Sequence, residues 1–116
     1  METHRLVLPA DLNHFGFLFG GRLLAWIDEA SWIAASVEYP QCRFVTVAME
    51  NVTFHRSVRQ GTILAISSQK IRVGKTSVTY NVEVKDLQNQ PQEILFATKV
   101  TFVNVDESGA KQSIHV

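Results

Sequence analysis

The sequence predicts an α+β fold in which one long helix lies against a curved antiparallel sheet of about five strands. Three observations lead there. Helical character is confined to one segment, between Gly21 and Val37, and the rest reads as strands. Those strands follow one another through tight turns, which makes an antiparallel sheet. The helix is also apolar over most of its circumference, so it must be covered on more than one side, and a sheet wrapped round it meets that need.

In chain order, the first strand is expected over Arg5 to Leu8. A glycine-rich loop follows, Asn13-His14-Phe15-Gly16-Phe17-Leu18-Phe19-Gly20-Gly21, and runs straight into the helix. There Arg22, Glu29 and Ser36 are seven apart and share one narrow stripe, the expected water-facing side. Leu23, Leu24, Trp26, Ile27, Trp32, Ile33 and Val37 occupy the rest. Arg43 to His55 is strand-like and is closed by the turn segment 56–61. Thr62 to Val73 and the strand after Gly74-Lys75 form a hairpin with glycine in its turn. Val78, Tyr80, Val82 and Val84 alternate there with Ser77, Thr79, Asn81, Glu83 and Lys85, a period of two with one face buried. Asp86 to Pro91 is a second turn, Ile94 to Val105 the last long strand, and Ala110 to Val116 has no clear pattern. One helix cannot cover five strands, and such a sheet keeps open edges. A homodimer joined edge to edge is therefore expected.

Bulk properties narrow the function classes. The 116 residues read as one domain, 1–116, and carry 11 Lys plus Arg against 11 Asp plus Glu. Zero net charge without a basic stripe argues against a nucleic-acid partner. The longest apolar stretch, Leu23 to Val37, is too short to span a bilayer and contains Asp28 and Glu29, so no membrane partner is expected. The start of the chain lacks the apolar length of a signal peptide, and Cys42 is the only cysteine, which suits a reducing cytoplasm.

The loop Asn13…Gly16…Phe19-Gly20-Gly21 and the helix with Asp28-Glu29-Ala30 resemble the acyl-coenzyme A thioesterases of the hot-dog fold. The bacterial single-domain acyl-CoA hydrolase branch is the nearer likeness. Matching segments continue in order through Phe44-Val45-Thr46-Val47-Ala48, Val52-Thr53-Phe54, Val73-Gly74-Lys75-Thr76-Ser77 and Phe102-Val103-Asn104-Val105-Asp106, covering about Leu6 to Gly109. The resemblance implies a helix wrapped by an antiparallel sheet, and hydrolysis of an acyl-CoA thioester. It implies no metal and no organic cofactor, coenzyme A being part of substrate and product. It makes Asp28 the general base or nucleophile and Asn13 a group that positions water or the thioester carbonyl. Relatives often carry a polar residue where this chain has Phe17, and sometimes at Phe15, which reshapes the acyl pocket.

Residue chemistry points to the same helix. Asp28 lies about 100° from Glu29, flanked by Leu24, Trp32 and Ala35, where a carboxylate is either paired with a basic residue across the sheet or functional. The helix start near Gly21 is roughly 10 Å away along the axis, so one carbonyl cannot sit at both places. Oxyanion donors at a helix start must then come from a second subunit, which makes the site a dimer-interface one. Asn13 has a plain alternative as a turn residue bonding its own backbone. Gly20 and Gly21 permit both a tight turn and close backbone approach to a thioester. Glu29 reads as solvated. Gly74, Lys75, Thr76 and Ser77 form a turn first of all; by resemblance they line the coenzyme A channel, with Arg72 and Lys75 meeting phosphates at its rim. Cys42 has no convincing partner, and the histidines at 4, 14, 55 and 115 lack metal-ligand spacing. Trp26 and Trp32 read as packing residues. Two rival functions remain: a hot-dog dehydratase, faintly echoed by His14-Phe15, and a non-catalytic acyl-CoA binding domain. The expected assembly is at least a homodimer, with a hexamer as a trimer of dimers in view.

Overall fold

The computed structural model describes residues 1–114. Its elements are β1 (Glu2–Leu6), a short 3-10 turn (Pro9–Asp11), α1 (Gly20–Glu38), β2 (Phe44–Phe54), β3 (Ile63–Val73), β4 (Ser77–Asp86) and β5 (Ile94–Asn104). All five strands form one antiparallel sheet in the order β1-β3-β4-β5-β2. The single helix lies on one face of it, as the sequence predicts. No helix among the described residues is long and apolar enough to cross a membrane.

Two features differ from expectation. β1 starts at Glu2 rather than Arg5 and ends at Leu6, because its register against β3 runs from Glu2 opposite Ser67 to Leu6 opposite Ile63, where β3 begins. An edge strand held by backbone bonds needs no apolar alternation, so Glu2-Thr3-His4 gave no sequence signal. The second difference is that β2 and β3 are not neighbours: β2 lies on the far edge, beside β5. Residues 55–62 therefore cross three strand spacings, about 14 Å, instead of closing a hairpin. On the way the segment meets the glycine loop, with Leu18 N–H donating to Val58 O at 2.8 Å and Phe17 bridged to Arg59.

The core lies between α1 and the concave face of the sheet. Leu23, Ile27, Ala30 and Ala34 from the helix meet Val78, Val82, Val84, Phe96, Val100 and Phe102, all buried. β4 shows the expected alternation, except that Thr79 on the outer face is also buried and shares a 2.9 Å hydrogen bond with Thr101. The polar stripe of α1 is shorter than expected. Arg22 approaches Asp11 at 3.4 Å and Glu29 bonds Arg5 at 2.5 Å, but the Ser36 hydroxyl is buried. Past Glu29 the open side of the helix turns apolar, with Trp32, Ile33 and Val37 all exposed, and Val45, Val47 and Val52 are exposed along the edge strand β2. The sheet thus covers the helix on one side and leaves an apolar remainder.

Candidate active site

Asp28 sits midway along α1, half-exposed, on the side that faces β2. Its Oδ1 accepts a hydrogen bond from the Thr46 hydroxyl at 2.7 Å. No basic residue pairs with it among the described residues, so the alternative of a cross-sheet ion pair is not what the structure shows; its partner is a neutral donor. Thr46 has the same strand parity as buried Phe44 and is opposite Phe102, whose ring is in the core. Its hydroxyl is therefore turned toward the helix. Sequence reasoning named Thr46 only as part of a strand; the usable signal was a hydroxyl residue at an inward position of an apolar run.

The glycine loop is built around Asn13. Its Oδ1 accepts from the backbone N–H groups of Phe15 at 2.9 Å and Phe17 at 3.1 Å, while its own N–H donates to Phe17 O at 2.7 Å. This is the self-bonding turn, closed by Gly16 at a φ of +87°, which side chains rarely adopt. With Oδ1 taken twice, only the amide Nδ2 remains to donate to a ligand. At the helix start Phe19 is extended and offers no side-chain cap, so the first amides of α1, at Gly20 and Gly21, point outward as donors. Both glycines answer close contacts: a Cβ on Gly20 would lie 3.0 Å from the Phe54 ring, and one on Gly21 would lie 2.8 Å from the Phe19 ring. A cavity of about 490 Å³ opens here, lined by Asn13, Phe15, Phe17, Gly20, Leu23 and Phe54, with Arg56 and Ser57 also on its wall. Phe15 and Phe17 thus make it more apolar than polar loop residues would.

Within one chain these parts are apart. Asp28 is eight residues past Gly20, about 12 Å along the helix, and does not line the cavity. The Gly74 hairpin lies at the opposite end of the sheet from the glycine loop: Ser77 is opposite Val103, whereas the cavity is bounded by Val84 and Leu95. The hairpin shares its end with Thr46, since Thr46, Phe102, Val78 and Val73 lie in one row across the sheet. Its backbone is well tied: Gly74 N–H donates to Ser77 O at 2.7 Å, and the carbonyls of Lys75 and Thr76 accept from Ile114 and Asn104 at 2.8 Å. Lys75 is exposed, and Arg72 approaches the Thr79 hydroxyl at 3.4 Å.

The remaining reactive side chains are otherwise engaged. Burial pushes the Cys42 thiol up from its ordinary pKa, the opposite of what a nucleophilic thiolate needs. His4 bonds Glu2 at 2.7 Å, and the exposed His14 ring packs on Phe15 at 4.0 Å on the glycine loop, away from Asp28 of the same chain. His115 lies outside the described residues. Among those described, no group of three or more His, Cys, Asp or Glu is placed to hold a metal ion.

Comparison with known proteins bears on the family and the fold. The sequence matches the family model of the Thioesterase superfamily over residues 15–92. It is 35% identical over 116 residues to the acyl-CoA thioester hydrolase YciA of Escherichia coli K12, covering 96% of this chain and 87% of that protein. Its fold is similar to the hexameric thioesterase of Yersinia pestis, with a TM-score of 0.89, 31% identity, and 98% and 93% of the two chains covered. It is also similar to a Staphylococcus aureus acyl-CoA hydrolase solved with butyryl coenzyme A, coenzyme A and coenzyme A disulfide. There the TM-score is 0.87 at 28% identity, with 98% and 70% covered. One helix on a five-stranded antiparallel sheet, a glycine loop opening that helix and the extent of these matches place this chain in the thioesterase superfamily.

Proposed function

We propose that the protein hydrolyses acyl-CoA thioesters to a free acid and coenzyme A, with Asp28 as general base or nucleophile in a site built from two chains. The observation that carries this reading is the Asp28 carboxylate, held at Oδ1 by Thr46 and about 12 Å from the uncapped helix start of its own chain. With Oδ1 restrained, Oδ2 is left to take a proton from water or to attack the carbonyl carbon itself. Charge then develops on the thioester oxygen, and backbone amides aimed at that point stabilise it most. The Gly20 and Gly21 amides suit the task only when a second copy brings them to Asp28. Collapse of the tetrahedral adduct breaks the C–S bond and expels the coenzyme A thiolate, which takes up the proton that Asp28 removed from water. On the nucleophilic route the same collapse leaves an acyl–Asp28 anhydride, which water then hydrolyses to the free acid and the carboxylate. No cofactor enters the step.

The oligomer follows from the same geometry. The open edge of β2, with Val45, Val47 and Val52 exposed along it, and the exposed Ile33 and Val37 of the helix supply an apolar surface for a second copy. The hexameric state of the Yersinia pestis relative supports a trimer of such dimers. The acyl chain enters the cavity lined by Phe15, Phe17 and Phe54, and coenzyme A runs toward the Gly74 hairpin, where Arg72 and Lys75 meet its phosphates. Binding of butyryl coenzyme A by the Staphylococcus aureus relative supports the substrate class.

The test is thiol release from a panel of acyl-CoA chain lengths by the parental protein and by Asp28→Asn. Loss of the base should lower the rate on the order of a hundred-fold or more at unchanged fold. Parental turnover by Asp28→Asn overturns the assignment, and a parental protein inert toward the whole panel would leave a binding domain.

A further inference from the structure

Four residues past Asp28, and so on the same side of α1, the Trp32 indole N–H donates to the Phe44 carbonyl at 3.1 Å. That carbonyl is on the open side of β2. Arg43 O accepts from Val105 N–H at 3.0 Å, so by strand alternation the next carbonyl points away from β5. With β2 at the sheet edge, no strand of the same chain reaches it. The helix therefore grips the edge strand twice, through Asp28 to the Thr46 side chain and through Trp32 to the Phe44 backbone. The two grips match in pitch: four residues of helix rise about 6 Å, and two residues of strand rise about 6.6 Å. Going up the helix from Asp28 to Trp32 corresponds to going back along β2 from Thr46 to Phe44. Both bonds are made at once, just before the register of β2 against β5 shifts between Thr46 and Ala48.

We infer that Trp32 is a positioning residue for the reaction, fixing β2 at the height where Thr46 reaches Asp28. Trp32 is 43% exposed, more than a ring held by core packing alone, and its one polar atom is used on the edge strand. Without the N–H, the first residues of β2 remain paired with β5 but lose their tie to the helix at that edge carbonyl. The Thr46 hydroxyl is then set less closely against Oδ1. The inference rests on Asp28 being the reacting carboxylate.

Trp32→Phe keeps most of the ring and removes the donor; Trp32→Leu, which also lacks the N–H, is carried beside it. The expected result is a fall of roughly ten-fold in kcat, the scale of one lost hydrogen bond, with KM and oligomer size unchanged. Introduced into Thr46→Val, the same changes should cause no further loss, because the group that Trp32 places is already gone. Parental kcat in Trp32→Phe, with Asp28→Asn inactive, overturns the role of Trp32 and leaves that of Asp28 standing. An equal loss in both backgrounds, or a smaller assembly, overturns it in favour of packing. A fully active Asp28→Asn removes both assignments.

Discussion

The Thr46 hydroxyl reaches the Asp28 carboxylate at 2.7 Å across the gap between the edge strand and the helix, bringing together residues 18 positions apart. The bond leaves one carboxylate oxygen free and fixes the direction in which it points. Thr46→Val, nearly the same shape without the donor, should lower kcat about ten-fold with little change in KM, and Thr46→Ser should retain most activity. Steady-state kinetics on a short acyl-CoA decide this. A Thr46→Val protein with parental kcat would show that Asp28 needs no such restraint.

The 12 Å between Gly20 and Asp28 predicts complementation between chains. Asp28→Ala and Gly20→Val should each be inactive alone, the valine because its Cβ already lies 3.0 Å from the Phe54 ring. Coexpressed in equal amounts, they should recover about a quarter of parental activity, since half the dimers are mixed and each has one intact site. No recovery from a soluble mixture would place the whole site within one chain.

Lys75 and Arg72 are remote from Asp28 in their proposed role, so their loss should act on binding rather than on chemistry. Lys75→Ala should raise KM for acyl-CoA several-fold at constant kcat, and combining it with Arg72→Ala should raise it further and flatten its salt dependence. An acyl-N-acetylcysteamine, which lacks the nucleotide, should be indifferent to both changes. Unchanged KM for acyl-CoA in the double variant would reduce the hairpin to a turn.

At the end of α1, Glu38 accepts from Lys70 and, at 2.7 Å, from the buried Tyr80 hydroxyl. These donors hold the Glu38 carboxyl below its ordinary 4.5, while burial and then the Glu38 bond push the Tyr80 hydroxyl up. A carboxyl depressed by folding stabilises the protein above its unfolded pKa, and that contribution fades as pH falls through the folded value. Glu38 is 41% exposed, so solvent screening keeps the worth of the pair near 0.5 kcal/mol. Glu38→Gln should lower the melting temperature by about 2 °C at pH 7, a deficit that shrinks as pH falls below 4.5 through the folded value. A constant deficit across that range would mean the charge plays no part.

The helix, the β3–β4 hairpin and the alternation of β4 were legible in the sequence because each depends on residues close together along the chain. Apolar positions round one helix and every second position of one strand suffice. The prominence of Asp28 had the same origin, a carboxylate off the polar stripe of an apolar helix. Which strand lies beside that helix was not legible. The crossing of residues 55–62 puts β2 on the far edge, and only then do Thr46 and Phe44 come under Asp28 and Trp32. The turn role of Asn13, the buried Ser36 hydroxyl and the Tyr80–Glu38–Lys70 cluster likewise depend on register and on side-chain direction. Hydrogen bonds of this kind are short-ranged and join residues distant in sequence. Local pattern therefore determined the elements, and only the packing of strand against helix decided the partners of the candidate catalytic groups.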